Sequence, residues 1–535
     1  MDNRKLLGTI IGFLLFAICV IGVSYAYYVW QSNETAVDIT IEDVKFEFLT
    51  GSDVNVTGIG PILDYTNSNY YTEENKNKYL VYTDFTVDNQ INKTYYISVS
   101  LDISSIDSSL KEKSFKYALL RYNSSSSSYD YDNPISEGDF SDFNLGKNNI
   151  ITSIASSPKS QDLYRFVVYI DGNMYNDNSM MTSTLNSSLE LIASKSVIKN
   201  VSNFIGDLYS DGNSVSTVNI GGDSSNPTIS LNSTQNILLD NNGEYRYYGS
   251  SPNNYVSFND ELWRIISVSD VEGENGKIEK RVKIVRDTSI GMYSFDTKTS
   301  GLGSSGTSNS GSNNWSDARL MMLLNPGYES GAKDANGNTI YSYEGSLYWN
   351  RKSGTYYGGG EISYAELSVD FTNIGLTNEA KKMISKAVYN LGGASHDSSS
   401  EYYYVNLYAD DLYNIERSEN VFSSHNSSWL GYIGLIYPSD YGYATDLTKC
   451  TKTVKYYNQD TNCTNNNWLF SGNHTWTMMP SSAVISKEII VKESGALDIN
   501  LSAYNTYNVL PVVFLNSDIV IVDGTGSKDD PYKLF

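Results

Sequence analysis

The stretch YTDFTVDNQINKTYYISVSLDI, residues 82–103, decides the fold of the N-terminal half. Phe85 and Val87 alternate with polar neighbours, Asp88-Asn89-Gln90 breaks the run, and Tyr95, Ile97, Val99, Leu101 and Ile103 resume the period of two. That period puts one row of side chains on one face of a strand, so the stretch predicts an antiparallel hairpin with one buried face. The pattern repeats on both sides. Val37, Ile39 and Ile41 slip by one residue at Glu42-Asp43 into Val44, Phe46 and Phe48, which predicts a strand, a bulge or turn, and a second strand. Phe115, Tyr117 and Leu119 give another strand, Tyr164, Phe166, Val168 and Ile170 a further one that stops at Asp171-Gly172-Asn173, and Leu189, Leu191 and Ala193 close the set. With no long helical period over residues 31–195, this region is expected to be an antiparallel β-sandwich.

Composition narrows the function. The 535 residues carry 61 acids against 38 Lys and Arg, a net charge of −23, which repels nucleic acid on average. Hydrophobic residues make up 40% and include 45 Tyr and 7 Trp, too much ring surface for a disordered acidic tail. Three Cys and three His exclude a disulfide-dense scaffold and a multi-zinc protein.

Residues 6–23, LLGTIIGFLLFAICVIGV, follow Arg4 and Lys5 and are long enough to span a bilayer core as a helix. Residues 1–30 are therefore expected to be a signal peptide or a membrane anchor. Small residues at Ser24 and Ala26 fit a signal-peptidase site, and Tyr27, Tyr28 and Trp30 fit an interfacial belt. Either way the basic end stays inside and the chain from Tyr27 onward is extracellular or on the cell surface, membrane-anchored where the signal is not cleaved. Cys19 within the segment reads as a small apolar filler.

Beyond the sandwich, Val197, Ile198, Val201, Phe204, Ile205 and Leu208 recur at helical spacing, and a polar run from Ser210 to about Thr234 reads as a linker. Residues 196–235 are thus expected to be a short helix and a domain boundary. In residues 236–535, strands flank an Asn-rich turn at Ser251 to Asn254. Two helices are predicted, Asp317 to Leu324 capped by Ser316, and Asn378 to Leu391 capped by Thr377, and the end returns to β before a Gly-Thr-Gly turn. The whole is expected to be mainly β with an α+β C-terminal domain.

The VSYAYY end of the apolar segment, YTDFTVDNQINKTYYISVSL, and LYRFVVYIDGN followed by SSLELIAS resemble the TasA/camelysin family of exported Gram-positive matrix proteins, over roughly residues 6–195. That resemblance implies a jelly-roll-like sandwich able to assemble into fibres by strand exchange. Tyr27 to Ile41 would then be the lending segment, freed by signal cleavage. The C-terminal part carries LWRI, WSDARLMMLLNPGY, SLYWNRKSG, YPSDYGYAT and a final WTMMPS and VLPVVFL. In these it resembles an exported Bacillota surface-domain family, and its layout is similar to a C-type-lectin-like or formylglycine-enzyme-like fold. The Arg residues usual in the C-terminal hairpin of that fold are missing from Thr477 to Pro480 and from Val509 to Pro511, which weakens any carried-over ligand geometry.

For a site, the candidates are rings and amides: Trp476, Tyr404, Tyr408, Trp429, Trp468 and Asn473 could stack on and bond to a ligand, although such rings more often pack in a core. Cys450 and Cys463 are expected to form a disulfide in an exported domain. His396, His425 and His474 lack zinc spacing, so no metal is expected, and Asp410, Asp411 and Asp440 leave only a low expectation of calcium. Gly301 to Gly306 matches G-x-G-x-x-G without the strand and helix that phosphate binding needs, and S-x-x-K at Ser108, Ser156 and Ser196 has no companion motif. No catalytic residue is identified. The expectation is a non-enzymatic surface protein for adhesion or capture of an extracellular glycan or protein ligand. A structural subunit of a biofilm-matrix fibre is the alternative, and an exported hydrolase using paired carboxylates a third class.

Overall fold

The computed structural model describes residues 39–41, 44–48, 51–175, 179–194, 197–212, 215–296, 311–330, 345–357, 366–422 and 425–535. The N-terminal apolar segment, Ser24, Ala26 and the run 301–306 lie outside the described residues. Among the described residues no helix is long and apolar enough to cross a membrane. The protein is mainly β and divides into two units, Met1–Lys199 and Asn200–Phe535.

In the first unit, the strand Leu80–Asn89 pairs with Val44–Phe48 on one side and Gln161–Ile170 on the other, and Phe115–Asn123 follows. A second sheet runs Val56–Thr57, Thr184–Ser194, Tyr95–Ile106, Gly146–Ser156. All these pairings are antiparallel. The two sheets share one core, in which Phe85 and Val87 meet Ile97, Val99 and Leu101 with Tyr164, Phe166 and Val168. The alternation read from residues 82–103 is the alternation that fills this core. The opposite face of the first sheet is covered as well: Leu120, Val167 and Tyr169 pack beneath Tyr65, Tyr70 and Tyr71. A strand buried on both faces explains why its intervening positions, such as Val167 and Tyr169, are also apolar.

The second unit begins with the helix Val201–Ser210, capped by the Asn200 side chain accepting from Asn203 N. Residues 210–234 are not a linker. Val215–Asn219 and Thr228–Asn232 form a hairpin that continues through Ile237–Leu239 into the largest sheet. Asn232 is buried, and its side-chain amide donates to the carbonyls of Leu208, Tyr209 and Asp211, so the polar run is spent on closing the preceding helix. The centre of that sheet is Glu261–Glu272 paired with Ile278–Arg286 and then Val512–Phe514.

Both predicted helices of this unit differ from expectation. Ser316 caps nothing: Trp315–Asp317 is a 3-10 turn, and the helix is Arg319–Leu324, all six residues buried. Thr377 does cap, accepting from Ala380 N, but the helix stops at Lys382, and Ala387–Asn390 is a strand paired with Ser428–Gly431. Ile384 and Ala387 are buried in extended backbone bridged to Leu515 and Gly273. Their helical spacing is therefore a coincidence that strand pairing overrides. The closing turn is as expected. Gly524 and Gly526 both have positive φ, and a Cβ on Gly526 would fall 2.4 Å from Asn253 O.

Candidate functional site

The rings singled out from sequence are placed mostly inside. Trp476 is fully buried, its Nε1 donating to Tyr293 O at 2.7 Å and its ring packed on Tyr507 and Phe295. It is a core residue and offers no stacking face. Trp468 and Tyr404 are buried too, and Trp468 Nε1 is bound to Tyr247 O at 2.8 Å. Trp429 and Tyr408 are half-buried. The Trp429 ring lies against Tyr389 and Trp315, and the Tyr408 ring lies where a Cβ on Gly221 would sit, at 2.6 Å. Of the six, only Asn473 is exposed. These residues do not make an open platform, because the ring side chains are the large apolar volumes from which this unit builds its core.

A different ring pair reaches the surface. Trp349 and Tyr432, both half-buried, lie with ring centroids 4.6 Å apart. Lys381 Nζ sits 5.3 Å from the Trp349 centroid and Lys386 Nζ 5.8 Å from that of Tyr432. Lys386 is paired with Glu274 at 2.6 Å, whereas burial lowers the pKa of Lys381. Leu430 is exposed two residues from Tyr432. The helix Asn378–Lys382 supplies Lys381, and Trp349 lies in the turn before the strand Ser353–Tyr357. Sequence analysis missed this group because its members are brought together over more than 80 residues, with no local spacing to mark them.

The carboxylates gather elsewhere, and they are sealed. Arg246 is 2% exposed and is bound by Asp240 at 2.8 Å, by Glu244, and by Asp440 at 3.2 Å. Lys283 bonds the other oxygen of Asp440. Burial works against the charge on Arg246, but Glu244, Asp240 and Asp440 outweigh it and hold the guanidinium well above its ordinary pKa. Likewise burial pushes Asp440 up, and Lys283 and Arg246 more than reverse the push. Asp440 also accepts from Tyr437 N at 2.8 Å, and Asp411 from Tyr408 N at 2.9 Å, so each caps a helix. Asp410, Asp411 and Asp440 are thus committed to helix ends and ion pairs, and among the described residues no group of three or more His, Cys, Asp or Glu could hold a metal ion.

Glu416, fully buried at the end of the helix Ala409–Glu416, accepts from Ser439 N at 2.9 Å and Ser439 Oγ at 2.5 Å. Burial raises its pKa from 4.5 to about 7, Arg417 opposing and Asp440 assisting. A carboxyl of that pKa suits proton transfer, but Glu416 has no surface for a substrate to reach. Its effect falls on stability. The folded pKa is raised, so the contribution is complete below pH 4.5 and is lost as pH rises through 7. A shift of that size corresponds to about 3 kcal/mol. We expect urea denaturation of the protein and of Glu416→Gln at pH 4.5 and pH 8.5 to show the variant gaining about that much relative to the parent. A pH-independent difference would exclude the shift. Glu488 is similarly buried, and burial drives its pKa well up against the opposing backbone N–H of Ile489.

Cys450 and Cys463 are joined by a disulfide. The chain matches no protein-family profile and no curated protein. Among solved structures it is similar to a GlcNAcα1-4Gal releasing endo-β-galactosidase from Clostridium perfringens, at 9% identity and a TM-score of 0.16, over 49% of this chain and 83% of that one. A likeness at that score carries no argument about fold or activity.

Proposed function

We propose that the chain is a non-enzymatic surface protein that captures a glycan or protein ligand outside the cell. A jelly-roll-like N-terminal unit would serve as stalk and a C-type-lectin-like C-terminal unit as head. The observation that supports this most directly is the Trp349–Tyr432 pair with Lys381 beside it, since half-exposed rings flanked by hydrogen-bond donors suit the apolar faces and hydroxyls of a sugar. The disulfide agrees with an oxidising exterior. The buried carboxylates speak against hydrolysis through them, because catalysis requires access. The test is a glycan and peptide array probed with the chain from Tyr27 onward, with and without calcium. A selective signal lost in Trp349→Ala and Tyr432→Ala is expected, and a blank array with well-folded protein would remove this reading. A second reading, a subunit of an extracellular matrix fibre, draws on the position of Ile39–Ile41 as the outer strand of its sheet, one pairing edge unused among the described strands. Fibres formed by the chain after cleavage at Ala26 would favour it.

A further inference from the structure

Arg264 stands on the strand Glu261–Glu272 opposite Tyr255, and its guanidinium is clamped between two rings, 4.3 Å from the Tyr255 centroid and 4.4 Å from that of Trp468. Nε donates to Asn254 Oδ1 at 2.9 Å and Nη1 to Trp468 O at 3.3 Å. Nη2 has no acceptor among the described residues, yet it is not among the sealed unpartnered polar atoms, so it retains some contact with solvent in a residue only 8% exposed. Three other buried arginines are matched by acids, Arg246 by three carboxylates, Arg286 by Glu261 and Arg281 by Glu279, as is the half-buried Arg165 by Asp84. Among the described residues Arg264 has no carboxylate in ion-pair contact. Burial lowers its pKa, and Tyr255 and the more distant Asp287 offset only part of that.

We infer that Arg264 is the anchor of a binding site for a single carboxylate, which would dock on Nη2 beside the Tyr255 and Trp468 rings. A largely buried guanidinium whose nearest acid is the distant Asp287 is an electrostatic demand only partly met, and a charge-assisted bond to an incoming carboxylate meets the rest. The clamp fixes the planar group before the ligand arrives, so little further ordering is needed. One open nitrogen suits one singly charged group, and the net charge of −23 works against polyanions. The neighbouring Ser251 and Asn253 are exposed and polar, fitting a carboxylate borne on a hydrophilic body such as an acidic sugar or a peptide terminus. If the ligand-capture reading holds, this site names the charge its ligand carries. It is separate from the Trp349–Tyr432 surface and can fail without it.

The experiment titrates the chain from Tyr27 onward with acetate, glucuronate and N-acetylglycine, with glucose and chloride as controls at constant ionic strength, following tryptophan fluorescence and Tm. Carboxylates are expected to bind in the millimolar range and raise Tm. Glucuronate and N-acetylglycine, compared with acetate, distinguish a sugar from a peptide source. Arg264→Lys should weaken binding about tenfold or more, because an ammonium cannot keep the stacked, forked geometry. Trp468→Phe, which shrinks one ring of the clamp, should weaken binding and lose most of the fluorescence change. No response of the parent protein to any of the three carboxylates, a response matched by glucose or chloride, or unchanged binding in Arg264→Lys would each overturn the inference. The first two outcomes are read on the parent protein alone, and the Tm of unliganded Arg264→Lys shows whether that variant is folded.

Discussion

Arg246→Met is expected to lower the free energy of unfolding of the C-terminal unit by about 3–5 kcal/mol, the cost of leaving buried charges without their partner. Asp240, Glu244 and Asp440 all lose the guanidinium that pairs with them, leaving Asp440 with Lys283 and Glu244 with the more distant Arg417 at 3.9 Å. Tyr413 Oη and Ser269 Oγ also bond Glu244, so the loss spreads into the helix Ala409–Glu416. The measurement is urea denaturation followed by tryptophan fluorescence, which reports this unit because six of the seven Trp lie in it. Adding Asp240→Asn and Glu244→Gln to Arg246→Met should restore part of the stability, since the penalty comes from unpaired charge. A loss below about 1 kcal/mol would mean that the cluster is hydrated and weak, as exposed ion pairs are.

Trp476→Ala should cost about as much, roughly 3–5 kcal/mol, by emptying a fully enclosed indole site and orphaning the Tyr293 carbonyl. Trp476→Phe should cost less, because most of the volume is kept. The contrast with Asn473→Ala is informative. Asn473 is exposed and bonds only Ser471 O in its own loop, so its removal should leave Tm within a degree or two. A Trp476→Ala protein with unchanged Tm would return Trp476 to the surface and undo the packing described here.

The N-terminal unit was legible because its strands alternate. Residues 82–103 announce their own buried face, and the core follows directly. The C-terminal unit was legible only in part. Its ring residues stand in the sequence as candidates for recognition, and whether a ring is covered depends on what the chain brings opposite it from far away. The same holds for the abundant Asn. Asn89 bonds the carbonyls of Lys93, Ser156 and Ser157, and Asn313 those of Ser481, Val484 and Lys487. Asn325 donates to Met321 and Ile433 carbonyls while accepting from the amides of Tyr432 and Ile433. An amide with two donors and an acceptor can satisfy loop backbone that no ladder reaches. Composition alone does not separate that task from surface recognition. Nor does it separate Trp349 from the other tryptophans, or Arg264 from the arginines that have acids.

The tie between Arg246 and Asp440 spans 194 residues. The described core of the first unit is drawn from residues 54–193 alone, so that unit can close before the rest of the chain has been delivered. The second cannot do so. Its opening strands carry Lys283 without its carboxylate, and Arg246 with only Asp240 and Glu244, until the helix bearing Asp440 is in place, and a loop that long must be closed before those charges meet. The order of closure that follows is staggered: an N-terminal core complete from its own segment, and a C-terminal interior whose charges are all paired only once the helix Pro438–Tyr443 is in place.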